Sequence, residues 1–124
     1  MIVSDLIGRP YTAEHDCNWL ASEMASRCER SYPPDVKTPA DKDDWPEMFR
    51  VLLAEHYHKV IEPKVGDLAI FAIPMPGHKI GWHCGTIIEP GLMITTRLTV
   101  GVHIVKLNTP MWRVWLKGYY EFKD

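Results

Sequence analysis

The sequence predicts an α+β domain in which N-terminal helices pack on a C-terminal antiparallel sheet, and three observations carry that expectation. From residue 17 to residue 28, apolar or small side chains recur at three- and four-residue spacing on Cys17, Leu20, Ala21, Met24, Ala25 and Cys28, the period of one helix face. A second face of the same kind follows on Trp45, Met48, Phe49, Leu52 and Leu53. Beyond Gly66 the pattern changes to short apolar runs punctuated by glycine and proline, as in paired strands. Helices first and strands afterwards is the order of an α+β plan.

Each element has its own justification. Residues 3 to 8 suit a short leading helix or turn, and Gly8-Arg9-Pro10-Tyr11 a loop. Asp16 stands just ahead of the first apolar face as an N-cap, so Cys17 becomes the first helical residue of a helix running to about Arg30. Ser31 to Asp43 contains Pro33, Pro34 and Pro39 and predicts a surface excursion. Asp44-Trp45-Pro46-Glu47 supplies a cap, an early proline and an acid three residues after the cap, starting a second helix that ends near Lys59. Gly66 to Ile73 is a buried strand, Pro74 to Gly81 a loop, and Trp82 to Ile88 a strand. Glu89-Pro90-Gly91 turns into Leu92 to Thr96, the second arm of a hairpin. Val100 to Leu107 and Trp112 to Phe122 supply further strands, separated by Asn108-Thr109-Pro110.

Composition bounds the function. The 124 residues suit one domain spanning 1–124, and a formal net charge of -2 with 24% charged residues argues against nucleic-acid binding. Three cysteines, an odd number at scattered positions, predict reduced thiols and synthesis in a cytoplasm. The start, Met1-Ile2-Val3-Ser4-Asp5, does not read as a secretory signal, and no segment is long enough to span a membrane. Action outside the cytoplasm would then require carriage by something other than a leader.

The chemistry is centred on Cys17. At the first turn of a helix, unpaired N–H groups and the aligned peptide dipoles favour an anion, which lowers the pKa of a thiol and makes it a candidate nucleophile. Of the six histidines, His56 and His58 are expected in the second helix facing different ways, and His15 and His78 in loops. His103 lies in a strand, while His83 opens one where a loop meets the sheet, a rigid place from which a base can face a helix end. Cys84, the next residue along, is expected to point away from whatever His83 faces and to sit in the core. No Cys-x-x-Cys or other ligand pair suggests a metal site.

Gly8-Arg9-Pro10-Tyr11, Asp16-Cys17, Val65-Gly66-Asp67-Leu68-Ala69-Ile70-Phe71, His83-Cys84-Gly85-Thr86-Ile87-Ile88, Trp112-Arg113 and Gly118-Tyr119-Tyr120 together resemble the successive landmarks of the NlpC-like cysteine peptidases, papain-like cell-wall hydrolases. The likeness runs in order over nearly the whole chain and is greatest to the small form encoded with the tail genes of tailed phages. It implies a papain-like fold and an endopeptidase without cofactor or metal, acting on the peptide stems of bacterial peptidoglycan. By the same resemblance Cys17 is the nucleophile and His83 the general base. Tyr11, Asp16 and Trp82 belong to the substrate site, with Tyr11 and the Cys17 N–H holding the oxyanion. It further implies a virion location, in the phage tail tip beside other tail proteins, with action at the cell wall.

The sequence also departs from that pattern. Asn18, Trp19 and Leu20 follow the nucleophile where serine or tryptophan and then glycine are usual, and the loop from Tyr11 to Cys17 is short. The third polar position, usually histidine, falls near Thr95, with His103 as the other candidate. A threonine hydroxyl orients an imidazole more weakly than a second histidine does. The alternatives are therefore a structural tail protein of the same fold with a decayed site, or an acyltransferase or amidase.

Overall fold

The computed structural model describes residues 2–33, 39 and 42–123. Helix α1 spans Cys17–Arg27 and α2 Trp45–His56. Strands β1 Tyr57–Val60, β2 Leu68–Met75, β3 Lys79–Glu89, β4 Leu92–Arg97 and β5 Gly101–Lys106 follow. A short helix α3, Pro110–Trp115, precedes β6, Leu116–Phe122. The six strands form one antiparallel sheet in the order β1-β6-β2-β3-β4-β5, so the fold is α+β.

Asp16 caps α1 as the sequence requires, its Oδ1 accepting from the Trp19 amide at 2.9 Å. The helix stops at Arg27, three residues short of the expected end. There Glu29 adopts a positive φ of 55°, and the amides of Glu29 and Arg30 return to the carbonyls of Ser26 and Ala25. That reversal frees the Arg30 side chain to pair with the buried Asp67 carboxylate at 3.0 Å and to donate to the Val65 carbonyl at 2.7 Å. Asp67 also accepts from the Lys64 amide at 2.7 Å, and the flanking backbone bonds to Ile87. The Val65-Gly66-Asp67 motif is therefore a structural tie between α1, β2 and β3.

Four further expectations change. Asp44 does not cap α2; its backbone is already helical, because a 3-10 turn over Lys42–Asp44 runs straight into the helix, and Glu47 pairs with Arg50 instead. The helix ends at His56 because Tyr57–Val60 joins the sheet beside β6, with Tyr57 edge-on to Phe122, so His58 lies on a strand and pairs with Glu121. Pro74 to Gly81 is mostly ladder, Pro74 opposite Ile80, and only Pro76–His78 turns. Trp112 lies in α3 rather than a strand, since Pro110 presets the first turn and burial against Phe71, at 5.0 Å between rings, holds it. The excursion predicted for Ser31 to Asp43 falls largely outside the described residues.

Alternation along the strands sorts the core onto two sheet faces. Leu68, Ile70 and Cys84 meet Cys17, Ala21, Phe49 and Leu52 on the helical side, continued by Leu20, Met24, Ile94 and Val102. Ala69, Phe71, Ile73, Ile87, Met93 and Val105 form the other face with Trp112. Burying a side chain the size of Phe49 or Phe71 contributes about 1.5–3 kcal/mol. No helix among the described residues is long and apolar enough to cross a membrane.

The sheet opens at one place. β3 pairs with β2 from Lys79 to Thr86 and β4 pairs with β5 along its whole length, but β3 and β4 pair only from Thr86 and Ile94 towards their turn. Helix α1 packs across both strands at this divergence.

Candidate active site

The site is built around the opening between β3 and β4. Cys17 starts α1, so its N–H has no partner within the helix, and its side chain is directed at β3. The Cys84 thiol donates to the Cys17 carbonyl at 3.4 Å, and the Cys17 sulfur lies within electrostatic reach of Cys84 and of the His83 ring. Cys84 packs on the helical side as strand alternation requires, and His83 reaches the same sulfur because the strand edge is open here. Cys84 sits in the core on the helical side, as expected, while the His83 ring lies beside Trp112, and both neighbours act on the charge of Cys17.

These contacts set the charge. The influence of neighbouring Cys84, then that of His83 and its positive charge, outweighs burial and holds the Cys17 pKa well below that of an ordinary thiol. The same thiolate, together with burial, pushes Cys84 well above it. One thiol of the pair therefore carries the negative charge, and it is the one at the helix start. Cys28, half-buried elsewhere, is raised by burial. All three cysteines are free.

Thr95 fixes the imidazole. Its Oγ1 lies 2.6 Å from His83 Nε2 and donates its single proton to the Cys84 carbonyl at 2.8 Å. The hydroxyl oxygen must then accept from Nε2–H, which leaves the Nδ1 lone pair of neutral His83 available to a proton from Cys17. Thr95 thus closes, through its side chain, the gap where the β3–β4 ladder stops. His103 takes no part in this arrangement: it faces Thr95 across the β4–β5 ladder, and its Nδ1 bonds the Gly101 carbonyl at 2.7 Å.

The remaining expected residues divide. Tyr11 is brought in by the segment before it, where the Gly8 amide and the Arg9 carbonyl bond Val102 at 2.9 Å each, extending the sheet past β5. This approach requires glycine at 101: its φ is +76°, and a Cβ there would lie 2.4 Å from the Arg9 oxygen. Burial, then the charges of Cys17 and Asp16, raise the pKa of the Tyr11 phenol, so its hydroxyl stays protonated. Trp82 stacks on Phe49 of α2, with ring centroids 6.3 Å apart. Tyr11, Trp82 and His83 line a cavity of about 530 Å³ whose walls include Trp45, Ile73, Thr96, Arg97 and Leu98. Asp16 is occupied as the helix cap and is not on that wall; Cys17 is 2% exposed and is not on it either.

Two features had little or no signal in the sequence. The Cys17–Cys84 contact joins positions far apart in the chain, and Arg97 on the cavity wall resembles any strand-end cation. Among the described residues, no group of three or more His, Cys, Asp or Glu side chains is arranged to hold a metal ion.

No protein-family model matches the sequence, and no curated protein matches it. Among solved structures, an NlpC/P60 family protein from Bacillus cereus ATCC 10987 is similar, with a TM-score of 0.64 and 21% sequence identity over 94% of this chain and 36% of that one. The chain spans about a third of that protein's length. At this identity the likeness is one of fold, and the α+β architecture described above is that of an NlpC/P60 structural neighbour.

Proposed function

We propose that the protein is a cysteine peptidase acting on the peptide stems of bacterial peptidoglycan. The observation that carries this reading is the His83 ring, held by the Thr95 hydroxyl at 2.6 Å, acting on the helix-start thiol Cys17, whose pKa Cys84 and His83 lower. The Cys17 thiolate attacks the scissile carbonyl carbon, its proton having passed to His83 Nδ1, and a carbon–sulfur bond forms as the carbonyl becomes an oxyanion. The sequence resemblance supports the Cys17 N–H and the Tyr11 hydroxyl as the donors to that oxygen. Collapse of the intermediate breaks the carbon–nitrogen bond, and imidazolium returns the proton to the leaving amine. Water, deprotonated by His83, then hydrolyses the thioester and restores the thiol. The fold of the NlpC/P60 neighbour and the ordered sequence landmarks support the choice of substrate. The same landmarks support a setting in a phage tail tip, with delivery to the cell wall in a virion.

Alkylation tests the nucleophile. Iodoacetamide at neutral pH is expected to label Cys17 much faster than Cys28 or Cys84, and Cys17→Ala to abolish release of stem peptides from purified walls. Equal, slow labelling of all three thiols would overturn the reading. A second reading, a non-hydrolytic structural tail component, is favoured by the 2% exposure of Cys17 and by threonine at the third position. It predicts slow labelling and normal assembly in Cys17→Ala.

A further inference from the structure

Arg97 ends β4 with a guanidinium that the hydrolytic steps above do not use. It lies over the Trp112 ring at 5.5 Å and the Trp115 ring at 5.8 Å, and Trp112 in turn is 6.2 Å from His83 between ring centroids. The side chain is half-buried and lines the cavity onto which His83 opens. Among the described residues no carboxylate lies within ion-pair distance of it. Arg27, Arg30 and Arg50 each have such a partner, and Lys79 on the same cavity wall has Asp43 at 3.7 Å.

A guanidinium removed from part of its hydration and given no anion is left short of acceptors. Stacking against indoles uses the face of the cation and spares its in-plane N–H donors, which match a planar carboxylate. A second observation concerns the same wall: the hydroxyl of Thr96, a cavity-lining residue, is buried and has no hydrogen-bond partner. The rest of the wall is largely apolar, from Ile73, Trp82 and Leu98. One unmatched positive charge in such surroundings suits a monoanion.

We infer that Arg97 determines substrate specificity by receiving a carboxylate of the bound peptide, so that the site selects stem peptides with free carboxylates over their amidated forms. This rests on the peptidase reading for the identity of the ligand, and binding alone tests it. In the Cys17→Ala protein, quenching of tryptophan fluorescence is expected to show a free-acid stem tetrapeptide binding at least about tenfold tighter than the fully amidated tetrapeptide. Adding Arg97→Gln should bring that ratio to about one with amide binding unchanged, and Arg97→Lys, which keeps charge without the planar fork, should recover part of it. Equal affinity for acid and amide, no binding of either, or a preference that survives Arg97→Gln would overturn the inference. The two proposals fail separately. Slow alkylation of Cys17 with an intact acid preference removes hydrolysis and keeps the carboxylate subsite, whereas fast alkylation without that preference does the reverse.

Discussion

The two halves of β3 behave differently. From Thr86 to Glu89 the strand is paired on both sides, its Ile87 amide and carbonyl tied to Asp67 and Gly66 and its edge laddered to β4. From Lys79 to Gly85 it keeps β2 but loses β4, and side chains take over: Thr95 holds the Cys84 carbonyl and His83, and Cys17 enters from the helix. In a regular ladder, adjacent residues face opposite ways. Where the ladder opens, adjacent residues His83 and Cys84 serve one sulfur. The closed half fixes the frame, and the open half uses the unsatisfied edge for chemistry.

Changes in the open half test its use. The largest expected effect is from Cys17→Ser: release of stem peptides falls by about a thousandfold or more, measured as soluble amines from purified walls, with the circular dichroism spectrum retained. In the closed half, Arg30→Met leaves the buried Asp67 carboxylate without its cation. The expected loss is about 3 kcal/mol of unfolding free energy in urea titration, with Cys17 alkylation in the remaining folded protein unchanged.

Thr95→Val exchanges the hydroxyl for a methyl of similar size and leaves the Cys84 carbonyl and His83 Nε2–H unpaired. Stability should fall by about 1–2 kcal/mol, and peptide release should fall further than stability accounts for, because the ring loses its orientation. If peptide release is unaffected by Thr95→Val, the hydroxyl serves only to close the sheet.

The smallest effect concerns pH. Because the Cys17 pKa lies below the ordinary thiol range, its alkylation rate should stay nearly level as pH falls from about 9 towards neutrality, while that of Cys28, raised by burial, drops with each unit. Cys84→Ala removes the leading cause of the lowered Cys17 pKa, so the midpoint of the Cys17 profile should move upward. The sign for stability follows: the thiolate's contribution is full above the unfolded thiol's pKa and is lost as pH falls through the lowered folded value, and Cys84→Ala should shrink that contribution. An unmoved profile would assign the lowered pKa to the helix start and His83 alone.

Much of this was legible in the residues. The apolar period of 17–28, the Asp16 cap, the Gly66 strand and the hairpin around Pro90-Gly91 are local patterns, and local hydrogen bonding realises them. The helix ends were not legible, because Tyr57–Val60 and Trp112 are claimed by distant partners, β6 and Phe71. At the site, Cys17 was visible as a helix-start thiol and His83 as a strand residue near a loop. That Thr95 rather than His103 meets the ring depends on the side chains' tertiary partners, and so does the part played by Cys84.

The sequence alone determined the body of the two long helices, the central strands with their hairpin, and which thiol begins a helix, since periodicity, capping and turn chemistry act over a few neighbouring residues. Only the tertiary structure decided that the β3–β4 ladder stops at Thr86, that two cysteines 67 positions apart share one proton environment, and that Arg97 lines a cavity with no carboxylate of the described residues at ion-pair distance. Those outcomes depend on distances between segments remote in the chain, which no local pattern encodes.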